Sequence, residues 1–262
     1  MTPLRIRLAA AAVGAGLVLA APAAAWAGPL RSNSTTQTSS PTPATSTLEA
    51  LRTKCLAAID VRLPALATAR ADVANNQATT ADHKAALLSD IDQTTARLQT
   101  LEGEIKADTD LSSLRDHCRS IFQDNRVFAL VLPRTRLVVG ADTAGVAGDK
   151  LSAVAGKLAD AIQKAEDAGR DVSQAKADLD AMKAQIASGV AAASSVPGAV
   201  LGLTPADWNA NHDVLTPARQ SLRVARTDLK VARDLAVKIR NELRTPTTTP
   251  SAPSAPSPSP QA

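Results

Sequence analysis

The stretch LTPARQSLRVARTDLKVARDLAVKIRNEL, residues 215–243, decides the fold. Its apolar residues Leu215, Ala218, Leu222, Ala225, Leu229, Ala232, Ala236, Ile239 and Leu243 alternate strictly at intervals of three and four. A helix of about 3.6 residues per turn gathers such positions into one seam that must be covered by other helices. Thr216-Pro217 at its start reads as a cap followed by proline at the first helical position.

Working upstream, Leu151, Val154, Leu158, Ala161, Ala165 and Ala168 form a second stripe, and Gly169 supplies a helix stop. Val172, Ala175, Leu179, Met182, Ile186, Gly189 and Ala193 follow after a very short turn, so these two helices form an antiparallel hairpin. With the final helix they make a three-helix bundle over 148–244, including a short helix opened by Thr204-Pro205-Ala206-Asp207.

The first half predicts a similar bundle over 47–125. Ser46-Thr47-Leu48-Glu49 is a capping box, and Leu48, Leu51, Cys55, Ile59, Leu63, Leu66 and Val73 share one face of a helix that Pro64 should kink. Asn75-Asn76-Gln77 makes a turn, and Thr79 or Thr80 caps a helix carrying Leu88, Ile91, Leu98, Leu101 and Ile105. Asp108-Thr109-Asp110 caps a third, with Leu111, Leu114, Cys118 and Ile121 or Phe122 inward. Cys55 and Cys118 each lie seven residues after the first leucine of their stripe, so an up-down-up bundle sets them at the same level. The sequence therefore predicts a disulfide between the first and third helices. The chain-entropy model gives a loop of this size roughly 4 kcal/mol as an upper figure.

Between the bundles, 126–147 is an apolar connector whose centre, Val127 to Val139, is broken by Pro133. A helix kinked at Pro133 suits its helical neighbours; a hairpin around Pro133 to Arg136 suits its β-branched content. The helix is preferred, and either form should be buried between the bundles, an exposed one being the best partner-binding patch.

Composition agrees with helix-on-helix packing. The 262-residue chain is 45% apolar but only 2% aromatic, with no Tyr, and its formal charge is +4. Such an Ala, Leu and Val interior disfavours a large ligand cleft, and the balanced charge does not mark a nucleic-acid binder. Residues 1–27 read as a signal peptide: Arg5 and Arg7, an apolar run from Leu8 to Ala21, Pro22, and the small-residue site Ala25-Trp26-Ala27. Cleavage is preferred over an uncleaved anchor and takes two positive charges with it. Residues 28–46 and 245–262 are low-complexity Pro, Ser and Thr segments expected to be disordered, as a wall-spanning stalk open to glycosylation or as plain solvated ends.

Arg219, Arg223, Arg226, Lys230 and Arg233 form one cationic stripe on the last helix, and Arg240 resumes it. It would either hold an anionic polymer or lipid surface or pair with Asp160, Glu166, Asp167, Asp171, Asp178 and Asp180 on the neighbouring helices, the second being the ordinary role of coiled-coil flanks. His83, His117 and His212 are scattered, and Asp116, His117 and Cys118 point in different directions on a helix, so no metal or other cofactor is expected. Nucleophile and phosphate-loop motifs are missing, so the chain reads as a non-enzyme. Trp208 should plug the bundle end, a carbohydrate platform being its other reading.

The Ala- and Arg-rich heptads, CRSIFQDNRVFALVLPRTRLVV from Cys118 and LTPADW from Leu203 resemble the uncharacterised exported α-helical, coiled-coil-like proteins of high-GC Gram-positive bacteria. The resemblance spans 47–244 and implies a cell-envelope context with no catalytic residues to carry over. Taken together, the expectation is an all-α protein of two antiparallel three-helix bundles with disordered ends. It would be secreted or cell-wall associated and act as a structural or interaction protein on a protein or wall partner. The alternative is an envelope module binding an anionic polymer or lipid surface through the basic stripe; nucleic acid is not expected.

Overall fold

The computed structural model describes residues 43–245, with side chains described from Ser46 onward. The signal peptide at 1–27, the linker up to residue 42 and the tail beyond Thr245 lie outside the described residues.

Among the described residues every regular element is helical and there is no strand. Helix α1 spans Pro43–Asp60 and α2 spans Arg62–Asn75. The first helix thus begins within the segment expected to be disordered, with Pro43 at the first helical position, and the expected capping box lies inside it. Pro64, which lacks an N–H and crowds the carbonyl one turn earlier, breaks the helix at Val61. Asn76 Oδ1 accepts from the backbone N–H groups of Ala78 and Thr79 at 2.8 and 3.0 Å, closing the turn. Thr80 then caps α3, Ala81–Ala107, by accepting from the His83 N–H. Asp110 does the same for α4, Leu111–Gln123, accepting from the Ser113 N–H at 2.8 Å.

The apolar connector is helix, not hairpin, and it is not a separate element. Residues Val127–Val131 form a π turn that runs directly into the 36-residue helix α5, Leu132–Asp167. Pro133 explains the change of pitch: it offers no N–H to the Ala129 carbonyl, and the chain opens to a wider turn in which Val131 N donates to Arg126 O at 3.2 Å. Arg126 enters this turn with φ of 40°, its guanidinium held by Asn209 Oδ1 at 2.6 Å. The centre of the connector, Val127 to Val139, is mostly buried, but Phe128, 50% exposed, and Arg136 face solvent.

Helix α5 ends at Gly169, whose φ of 78° lets Arg170 N reach back to Ala165 O. Helices α6, Ser173–Val200, and α8, Thr216–Arg244, complete a set with α5 in which each helix packs on the other two. Close approach is built in at Gly189, where an added Cβ would come within 3.1 Å of the Ala225 carbonyl oxygen and 3.0 Å of Leu229 Cγ. The short α7, Pro205–Ala210, is held by a reciprocal box between Thr204 and Asp207. Helix α8 begins one residue earlier than expected: Leu215 is the flanking residue, Thr216 the first helical one and Pro217 the second.

The core does not divide at the connector. One continuous cluster holds Cys55, Ile59, Leu98 and Leu114 of the first four helices together with Val196 and Val200 of α6 and Leu215, Ala218 and Leu222 of α8. A second cluster, around Ile162, Met182, Ile186 and Ile239, fills the far half of α5, α6 and α8. The seam read from residues 215–243 is the inward face of α8, with Ala236 and Leu243 only half-buried.

Candidate functional site

The seam fixes where the cations of α8 point. With Leu222, Ala225, Leu229 and Ala232 buried, Arg219, Arg223, Arg226, Lys230 and Arg233 all fall on the exposed side. Two of them are paired, both to Asp234 on the same helix: Lys230 Nζ at 2.8 Å and Arg233 Nη2 at 3.3 Å. The Lys230 ammonium, ahead of Arg233, holds the Asp234 carboxyl below its ordinary range. Arg219, Arg223 and Arg226 have no carboxylate partner among the described residues.

The acids expected to neutralise the stripe are engaged elsewhere or out of reach. Glu166 binds Lys176 at 2.5 Å, Asp178 binds Lys238 at 2.7 Å and Asp180 lies 3.9 Å from Lys183. Asp167 accepts from Gln163 and Asp171 from Ser173. The geometric reason is that these acids sit on the far half of α5, in the turn after it and in the first turns of α6. The stripe instead borders the first half of α5, next to Leu137 and Gly140.

There α5 and α8 bound a depression of about 550 Å³. Its floor is Gly140, Ala144, Ala147, Leu151 and Leu229; its rim is Lys150 from α5 and Arg226, Lys230 and Arg233 from α8. An adjoining hollow of about 510 Å³ holds Leu137, Leu222, Arg219 and Arg223. No carboxylate lines either one. A third hollow, about 570 Å³ between α2 and α5, joins the first at Gly140 and Arg226 and contains Phe128, Leu132, Arg136 and Val139, with Asp72 its single carboxylate. Lys150 and Arg136 escape a reading of α8 alone. Their signal in the sequence is a separation of two heptads, which puts both on one face of α5.

The other candidates resolve into separate structural roles. Cys55 on α1 and Cys118 on α4 are at disulfide distance, with Cα atoms 5.5 Å apart, so the predicted staple joins these helices. His117 Nδ1 lies 3.0 Å from Asp108 Oδ2, and Glu104 is 3.7 Å from Nε2. The Asp108 hydrogen bond raises its pKa above the ordinary value of 6.5, with desolvation opposing and the Glu104 charge adding. His83 pairs with Asp142 across α3 and α5 at 2.9 Å. His212 stacks on half-buried Trp208, ring centroids 5.6 Å apart, and Trp208 packs against the first core cluster from α7, which lies against α4 and the π turn. Phe122 and Phe128, 46% and 50% exposed, flank the Arg62 guanidinium at 4.5 and 5.3 Å. Burial lowers the Arg62 pKa.

No protein-family model, curated protein or solved structure matches this chain.

Proposed function

We propose that the protein is a non-enzymatic, exported interaction protein of the cell envelope, and that its working surface is the cationic face shared by α8 and the first half of α5. The observation that carries this reading is the set of unopposed guanidinium groups on Arg219, Arg223 and Arg226 beside hollows with no lining carboxylate. Exposed charges add little to folding stability, and like charges set close together repel, so such a cluster is poor scaffolding. It does raise a positive local potential that attracts an anionic partner and holds it in a salt-dependent way. In this reading the N-terminal helices, with α1 and α2 as one kinked helix, and the α5, α6 and α8 set act as two three-helix bundles that share a core, and the low-complexity ends act as spacers from the envelope.

The test is fractionation of the native host into medium, wall and membrane, each pellet then washed with salt. Release by salt, lost from the outset in the Arg223→Glu/Lys230→Glu variant, is the expected result. Retention through high salt, unchanged in that variant, would instead favour apolar contacts at the Phe122, Arg62 and Phe128 patch, the one exposed aromatic group among the described residues.

A further inference from the structure

We infer that the trough between α5 and α8 receives an acidic amphipathic helix from a partner protein; this rests on the cationic face being the working surface. Three features of the trough select this occupant. Its floor is apolar and includes Ala144 and Ala147, small enough for another helix to come close, with Leu151 and Leu229 providing larger contacts, while Gly140 at its end is covered by Leu222 and the Arg226 guanidinium of α8. The cations are spread along it: Arg226, Lys230 and Arg233 occupy successive turns of α8, the last two sharing Asp234, and Lys150 faces them from α5. It also continues past Gly140 to half-exposed Phe128, so α5 offers a track of about 30 Å at about 1.5 Å per residue.

Charge and apolar surface must therefore both repeat along the ligand. A polyanion such as a phosphate polymer matches the cations but leaves the apolar floor uncovered. An acyl chain with one anionic head matches the floor but places its charge at one end, leaving most of the rim unopposed. A helix with apolar residues at alternating intervals of three and four, flanked by Glu or Asp, satisfies both along the whole length. Phe128 would serve as the aromatic anchor at one end.

The test titrates the full chain with a synthetic peptide of about three heptads, Glu-Ile-Ala-Ala-Leu-Glu-Ala repeated, at low salt. The comparison ligands are a peptide of the same composition with its apolar residues scattered, inorganic polyphosphate, and phosphatidylglycerol vesicles. The amphipathic peptide should bind at least about tenfold more tightly than the scattered one. Ala147→Trp, which fills the floor, and Phe128→Ala, a change at an exposed side chain, should each weaken that peptide severalfold while leaving polyphosphate binding unchanged. Equal binding of both peptides, tighter binding of polyphosphate or vesicles, or insensitivity to both variants overturns the helix assignment while the cationic-face reading stands. Failure of every anion to bind overturns both.

Discussion

Arg134 is a charge held almost entirely out of solvent. Its guanidinium, 4% exposed, donates to Asp90 on α3 and to the Leu203 carbonyl, while its Nε finds no partner. A buried charge left without its counter-ion costs far more than the pair contributes. Asp90→Ala, which strands the guanidinium, should therefore destabilise by about 3 kcal/mol or more in urea unfolding. Arg134→Met should cost less, because the stranded Asp90 side chain is 31% exposed and can rehydrate. Equal losses would contradict this ordering. His117 makes a prediction with a definite sign. Because Asp108 raises its pKa in the folded state, its contribution is complete below the ordinary value of 6.5 and fades as pH rises through the raised folded value. His117→Gln should flatten the stability profile across that window and leave it unchanged well above it.

At the scale of elements, two glycines in long helices should respond oppositely to alanine. Gly156 lies in α5 with nothing near an added Cβ, so Gly156→Ala should stabilise by about 0.5–1 kcal/mol through helix propensity alone. Gly189→Ala must push against the Ala225 carbonyl and should destabilise despite the same propensity gain. Thermal unfolding of the two variants, read against the parent chain, checks the contrast. Elements were also where the sequence was most and least legible. The three-four seam of α8 and the cap at Thr204 could be read directly, and the caps at Thr80 and Asp110 to within a residue or two, because each depends on residues close in the chain. Leu87, fully buried, fell outside the expected stripe of α3, and Phe122, paired with Ile121 as an inward choice, is exposed. In both cases neighbouring apolar residues competed for one inward position, and tertiary packing decided. The π turn was illegible for another reason: a proline announces a disturbed helix but not which hydrogen-bond pattern absorbs it.

For the whole molecule, the decisive fact is the shared core. Val196, Val200, Leu215 and Leu222 join the cluster built on Ile59 and Leu98, so the core of the N-terminal helices is continuous with that of α6 and α8. The chain should melt in one cooperative transition in calorimetry, and reducing the Cys55 to Cys118 staple should lower that single transition by an amount up to roughly 4 kcal/mol. Two resolved transitions would show independent bundles. The cationic stripe could be read as a pattern from α8 alone, but whether it was neutralised depended on which neighbours faced it. The expected acids lie on or beside the right helices, yet toward the other end of the set from Arg219, Arg223 and Arg226, where Asp178 meets Lys238 of α8 instead.

Helix α5 passes without interruption from one core cluster to the other, and this fixes the lengths that evolution can explore. One residue inserted between Gly140 and Leu151 would swing everything beyond it by about 100°, carrying Lys150 away from Arg226 and Lys230 and turning Ile162 out of its packing. An insertion of seven nearly restores the face, but α6 and α8 must lengthen by the same step to stay paired. Related chains should therefore differ along this body in matched increments of whole heptads across all three helices, with single-residue changes confined to the turns.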